Sequence, residues 1–411
     1  MYLYLSNESI MKIVIAIDSF KGCLSSSAIA DAAEEGIRNV IPGCEVVKVP
    51  IADGGEGTVE ALTEATRGSI ITIPVHNPLM QPIRASYGIT GDSRTAIIEM
   101  SAASGLALIP PKAGNIMHTT TYGTGEMIAD AIQRGCHNFI IGVGGSATND
   151  AGVGMMQALG FRFTDQSGNE IEKGGKSLSS IQRIDTRNQL PQLQECTFHI
   201  ATDVTSTFYG PQGAARIFGP QKGGSETQIE ELDKGMKHLA TLIRQTFGKE
   251  IDNLAGAGAG GGMGGGCVGF LQASISPGID LVMDYLHFSE TVKGADLVIT
   301  GEGKIDRQTL FGKVPVGIAG VAAAQNIPDR YHRASGCRSG TETGRYIRHL
   351  PYPSVSCQPG RGHAARLRRP QHQTDNGTNL SNTTYFSQIV KKEAFPEHNV
   401  ILFCILQHNN Y

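Results

Sequence analysis

The chain has 411 residues, 40% of them hydrophobic and 18% charged, with a formal net charge of −3. These values suit a folded protein of more than one domain and exclude bulk attraction to nucleic acid or to an acidic membrane surface. Eight cysteines stand singly, at 23, 44, 136, 196, 267, 337, 357 and 404. Without a Cys-x-x-Cys pair they indicate neither a zinc ribbon nor a disulfide framework, and a reducing cytoplasm is the expected location. No apolar run is long enough to span a bilayer, and the first ten residues lack the basic start of a signal peptide.

In chain order, residues 12–17 (KIVIAI) read as a buried strand and run into Asp18-Ser19-Phe20-Lys21-Gly22. The serine-led stretch 24–43 predicts a helix. A strand over 45–49 leads to Asp53-Gly54-Gly55-Glu56-Gly57-Thr58, and a helix follows. This alternation predicts a parallel sheet with crossover helices, in which ligands gather at the carboxyl ends of strands. From residue 69 the pattern changes to period-two and short apolar runs, which predict antiparallel or mixed strands. Residues 139–143 form a short apolar strand before Gly144-Gly145-Ser146-Ala147-Thr148-Asn149-Asp150, and helical spacing resumes after them. A glycine-rich turn at a helix start lets backbone amides approach a phosphate. Ser146 and Thr148 add hydroxyls, and Asn149 or Asp150 fits an N-cap.

Strands are expected over 161–164 and 197–201, the second ending in Thr202-Asp203-Val204, and an amphipathic helix over 226–245. The glycine-dense segment 255–269 reads as a flexible linker or as a mobile loop over a ligand. Residues 294–312 return to the opening pattern, with a buried strand, ADLVIT, then a polar loop from Gly301 to Thr309, and a helix over 316–326. The expected organisation is one α/β domain of residues 11–75 and 282–328, interrupted by a second over 76–281, with a separate tail from 329 to 411.

Lys21, Asp53, Glu56, Asp203, Glu302 and Asp306 all fall just past strands, among glycines. Carboxylates beside a phosphate cradle are what Mg²⁺ needs, because it takes oxygen ligands and bridges to substrate phosphates. Loop position makes Asp53, Glu56 and Glu302 the metal candidates and Asp203 or Asp306 the candidate base. Lys21, Lys313 and the amides of Gly144, Gly145 and Ser146 are expected to hold phosphates or a carboxylate. Ser19, Thr148, Asn149, Gly301, Gln308 and Thr309 complete the candidate binding set. No Gly-x-x-x-x-Gly-Lys-Ser/Thr is present; Gly175-Lys176-Ser177 lacks the first glycine.

At IDSFKGCLS (17–25), ADGGEGT (52–58), GVGGSATNDAG (142–152), ATDV (201–204), PGIDLVMD (277–284) and GADLVITGEGKIDRQTLFGK (294–313), the chain resembles the bacterial-type glycerate kinase family. The resemblance covers about 12–328. It implies a flavodoxin-like α/β domain interrupted by a second α/β domain with a mixed sheet. It also implies a Mg²⁺-dependent kinase acting on ATP and D-glycerate, with 2-phosphoglycerate the favoured product. A dinucleotide-binding oxidoreductase is the rival class, because Gly142-x-Gly144-x-x-Ala147 fits that fingerprint and Asp165 follows about 20 residues on. That reading leaves the acidic loops at 53–58 and 301–309 unexplained.

The tail breaks the rhythm. Between Asp329 and Pro370 there are nine Arg, no Lys and only Asp329 and Glu342 as acids. Such a stretch does not make a buried parallel strand, which should be almost continuously apolar. If the arginines use CGN codons, Asp329-Arg330-Tyr331-His332-Arg333 read one base later begins Ile/Thr, a GNT codon such as Val, then Ile/Thr twice, so a shifted reading frame after about residue 328 is expected, with a genuine basic, disordered extension as the alternative. The consequences expected are an open sheet edge, a disordered tail and a weakened or inactive kinase.

Overall fold

The computed structural model describes residues 10–20, 24–110, 116–303, 313–325 and 327, together with five short strands beyond them. The strands are β1 (Lys12–Ile17), β2 (Glu45–Lys48), β3 (Ser69–His76), β4 (Pro82–Ile89), β5 (Thr95–Glu99), β6 (Asn138–Gly142), β7 (Arg162–Thr164) and β8 (Arg183–Asp185). They continue as β9 (Thr197–Ala201), β10 (Ser274–Ser276), β11 (Leu297–Glu302), β12 (Tyr331–Arg333), β13 (Ile347–His349), β14 (Val355–Ser356), β15 (Arg366–Leu367) and β16 (Val400–Cys404). The helices are α1 (Ser26–Arg38), α2 (Thr58–Ala65), α3 (Ser101–Ser104), α4 (Tyr122–Gln133), α5 (Val153–Ala158) and α6 (Ala214–Phe218). After them come α7 (Glu226–Phe247), α8 (Met263–Leu271), α9 (Gly278–Tyr285), α10 (Phe288–Thr291) and α11 (Val314–Ala324).

Two compact units emerge, Met1–Asp53 with Val282–Tyr411, and Gly54–Leu281. The first holds a parallel sheet in the order β16-β11-β1-β2. β2 lies outside β1 and the later strands add on the other side, which is the flavodoxin-like arrangement. Ile13 to Ile17 and the whole of β11 are buried, as strands covered on both faces must be. Helix α1 starts at Ser25, whose side chain accepts the Ala28 amide, and buries Ile29, Ala30, Ala33 and Ile37. Pro315 sits in the first turn of α11, where its missing N–H costs nothing.

The expected open edge of this sheet is corrected by the structure. β16 pairs in parallel with β11, Val298 opposite Val400 through Glu302 opposite Cys404. The physical reason lies in VILFC itself, a continuous apolar run of the kind a covered parallel strand requires. Apart from the strands β12 to β16, the tail 329–411 lies outside the described residues, and with it the expectation of disorder there.

The second unit carries a six-stranded sheet in the order β10-β9-β6-β5-β4-β3. β10, β9, β6 and β5 run parallel, while β4 and β3 are antiparallel additions. Phe139 and Phe198 stack across β6 and β9 with ring centroids 4.7 Å apart. The first unit ends at Asp53 instead of at 75, because β3 pairs with β4 along all eight of its residues and α2 packs with it.

The glycine-dense segment is neither a linker nor a mobile loop. Ala257, Ala259, Met263 and Cys267 are fully or almost fully buried, and α8 forms part of the core. A Cβ on Gly261 would stand 1.9 Å from the Thr148 carbonyl oxygen, and one on Gly266 2.0 Å from that of Ala151. Glycine is required here so that two backbones can touch. Among the described residues no helix is long and apolar enough to cross a membrane.

Candidate active site

In the first unit the carboxyl edge of the parallel sheet gathers polar groups. Ile17 and Gly301 lie opposite each other at the ends of β1 and β11, and the Asp18 amide donates to the Gly301 carbonyl at 2.9 Å. Gly301 is thus part of the strand, and the polar loop begins after it. Asp18 is buried and its Oδ1 accepts the Ser19 amide at 2.7 Å. Asp53 and Glu302 are also buried. The segment that leads to Asp53 is tied down through Ser26, whose hydroxyl donates to the Ile17 carbonyl at 2.6 Å and accepts the Ile51 amide at 3.2 Å. Lys313, the residue before α11, places its Nζ 3.5 Å from Asp53 Oδ2. Lys21, Asp306, Gln308 and Thr309 lie outside the described residues.

Among the described residues no three His, Cys, Asp or Glu side chains gather to hold a metal. Mg²⁺ does not demand such a cage, since it commonly binds through one or two carboxylates together with substrate phosphates and water. Asp53 and Glu302, oxygen donors held at the carboxyl edge of one sheet, fit that description. Glu56 is exposed and belongs to the second unit.

In the second unit three loops follow parallel strands. Glu99, at the end of β5, accepts the amides of Gly57 and Val59 at 3.0 and 3.1 Å, holding the ADGGEGT turn at the start of α2. Burial pushes its carboxyl up to about 7, against the pull of those amides. Gly57 there adopts φ +94°, a conformation that suits glycine. Asp203, past β9, is exposed, and its Oδ1 accepts the Gly278 amide at 3.1 Å.

The loop after β6 differs from expectation in an instructive way. α5 begins only at Val153, and the anion at its start is the protein's own Asp150. Asp150 is fully buried; its Oδ2 accepts Thr120 Oγ1, Thr121 Oγ1 and the Thr121 and Gly154 amides, and its Oδ1 accepts the Gly152 amide. Burial raises its carboxyl above the ordinary range, with the hydrogen bonds opposing. Thr148 and Asn149 are equally buried, Asn149 donating to Met236 Sδ at 3.2 Å. Thr148 Oγ1 and Asn149 Oδ1 have no hydrogen-bond partner among the described residues. Gly144 and Gly145 are exposed, and Ser146 is 9% exposed. The loop is hung on α3 and on the turn Leu106–Leu108 by the Leu106 amide to Gly145 O and the Ala147 amide to Ser104 O, both 2.9 Å. The amides of Gly144, Gly145 and Ser146 meet no acceptor among the described residues.

Behind this loop stands Lys222, which the sequence pattern does not single out. It is 5% exposed and donates to Ser146 Oγ at 2.8 Å and to the Thr148 carbonyl at 2.7 Å. Burial pulls its ammonium down to about 7, and the Asp150 charge resists. Its signal in the sequence is slight: one lysine among Gly219, Pro220, Gly223 and Gly224, a context that reads as an exposed turn. Glu99 escapes notice because it ends a strand and counts as one polar residue in an apolar run. Asp165, the rival dinucleotide residue, follows β7 of a separate two-stranded sheet and accepts the Ser167 and Asn169 amides in a local turn.

Comparison with known proteins places this geometry in a lineage. The E. coli K12 protein named glycerate 2-kinase is 49% identical over 323 residues, covering 79% of this chain and 83% of its own. The Bacillus subtilis 168 glycerate kinase is 48% identical over 318 residues, covering 77% and 83%. A crystal structure assigned as glycerate kinase 2 from Salmonella typhimurium LT2 matches with a TM-score of 0.78 at 45% identity, covering 84% of this chain and 91% of that one. The glycerate kinase family model matches residues 13–336, past the position near 328 where departure is expected. The chain belongs to the glycerate kinase family, whose members at this identity are phosphotransferases.

Proposed function

We propose that this protein transfers the γ-phosphoryl group of ATP to D-glycerate, with Mg²⁺, and that the product is 2-phosphoglycerate. The observation that carries the reading is the 3.5 Å contact of Lys313 with buried Asp53, with Glu302 buried at the end of β11, in a chain of this family. The choice of the C2 hydroxyl is supported by the name of the E. coli relative.

Phosphoryl transfer asks little covalent chemistry of a protein; it needs positioning and charge neutralisation. When bound, the metal supplies positive charge to the phosphate oxygens, and Asp53 and Glu302 would hold it. Lys313 and Lys21 would bind phosphate oxygens, with Ser19 beside them, and the amides of Gly144, Gly145 and Ser146 would take an anionic group. Asp203, an exposed carboxylate that accepts a backbone amide, would take the hydroxyl proton, with Asp306 as the other candidate. Incubation with Mg-ATP and D-glycerate, followed by NMR of the product, tests the reading and separates C2 from C3 phosphorylation. ATP turnover indifferent to glycerate, in folded protein, would overturn it. Asp203→Asn is expected to lower kcat at least ~100-fold if it is the base.

A further inference from the structure

Lys222 has no role in any part of the reaction described above, yet a lysine enclosed this completely needs a reason, because burying an ammonium is costly unless its protons are used. In its charged form Lys222 has three donors and no acceptor, so the 2.8 Å contact with Ser146 then has one polarity: Nζ donates and Oγ accepts. The other contact ties the same Nζ to the Thr148 carbonyl, fixing the cation against the loop backbone. With Oγ committed as acceptor, the Ser146 hydroxyl proton must point elsewhere, and among the described residues it meets no acceptor. On the same stretch the amides of Gly144, Gly145 and Ser146 also lack acceptors, and the two glycines are exposed. All these groups belong to one unit.

We infer that Lys222 is a positioning residue that locks Ser146 as a hydrogen-bond donor, so that its hydroxyl and the Gly144–Ser146 amides together grip one anionic oxygen group of the substrate pair, a carboxylate or a phosphate. The inference deepens the proposed function and rests on it for the identity of the ligands. The cation lies behind the loop, so it strengthens the Ser146 donor without itself touching substrate.

The test is a double-mutant cycle read by calorimetric titration of the full chain with three probes: D-glycerate, Mg-ATP and inorganic phosphate. Loss of one hydrogen bond to a charged group predicts that Ser146→Ala raises Kd ~10-fold or more for D-glycerate or for Mg-ATP, and the responding probe tells carboxylate from phosphate. Lys222→Met should weaken the same probe, and the double variant should be no worse than the weaker single one, because both remove the same contact. Multiplicative effects in the double variant would assign Lys222 a purely structural part and overturn the inference. So would Kd values within twofold of wild type for every probe in Ser146→Ala, which decides alone if Lys222→Met does not fold. If wild type binds neither substrate but binds phosphate with coupled losses, the kinase reading fails and the inference stands. Binding of none of the three overturns it.

Discussion

The two units use the same α/β logic but secure it differently. In the Gly54–Leu281 unit, the parallel strands β5, β6, β9 and β10 all come from one continuous segment, and their loops are pinned from behind by half-buried Glu99 and by buried Asp150 and Lys222. In the other unit, β1 and β11 come from opposite sides of the insertion, and β16 comes from the far end of the chain. The first arrangement depends on internal hydrogen bonds and the second on a long-range strand pairing. The contrast teaches that a loop meant to meet a ligand must be rigid before the ligand arrives, which polar struts achieve, whereas a sheet edge need only be covered.

The largest expected effect lies on the polar struts. Asp150→Ala leaves two hydroxyls and three amides in the interior without their acceptor. Stranding buried donors of this number should destabilise the second unit by about 4 kcal/mol or more, read by urea unfolding. A loss under about 1 kcal/mol would mean that water replaces the carboxylate and that the strut is not structural.

Next comes the strand pairing. Truncation before Val400 uncovers the β11 edge and removes a five-residue parallel ladder. At about 0.5–1.5 kcal/mol net for each hydrogen bond, the loss should be on the order of 3 kcal/mol, confined to the first unit. Hydrogen exchange resolves the two units: amides of β11 should lose protection while those of β6 keep theirs. Unchanged β11 protection would show that the edge does not depend on residues 400–404.

Glu99 sharpens the comparison through pH. Its folded carboxyl is raised to about 7, so the folded state binds more protons than the unfolded one between about 4.5 and 7. Its contribution is therefore fully present below the unfolded value and is lost as pH rises through the folded one. That loss is on the order of 3 kcal/mol at about 1.4 kcal/mol for each pKa unit. Glu99→Gln keeps an acceptor for the Gly57 and Val59 amides and should flatten this slope, seen by comparing urea midpoints at pH 5 and pH 7.5. The same slope in wild type and variant would place the titrating group elsewhere.

Much of this contrast is legible in the sequence alone. The strand at 12–17 announces itself because buried parallel strands are continuous apolar runs bounded by polar loops. The insertion is legible because the alternation of 11–58 returns at 294. The struts are not, since Lys222 and Asp150 look like ordinary turn residues until the fold closes over them. The glycine-dense segment misleads for a related reason: composition alone does not tell a flexible chain from one packed backbone against backbone, as Gly261 is against Thr148. Residues 400–404 escape a pattern reading because the arginine-rich stretch before them breaks the α/β rhythm that would have flagged an apolar run as a strand.

The smallest expected effect tests whether the second unit's helices, as well as its loops, are fixed by local polar bonds. Helix α7 opens with a complete capping box, the Ser225 side chain accepting the Gln228 amide while the Gln228 side chain accepts the Ser225 amide. Both ends of that exchange are exposed, so water competes for them and their loss should be modest. Yet α7 buries Leu232, Met236, Leu239 and Ile243 into the same core that backs the Gly144–Asp150 loop. Ser225→Ala should therefore lower stability by about 1 kcal/mol, the usual worth of an N-cap, with Kd for substrate unchanged. A weakened Kd alongside so small a loss of stability would mean that the start of α7 communicates with the loop through Met236, which touches Asn149, and that the unit is less rigid than its buried struts imply.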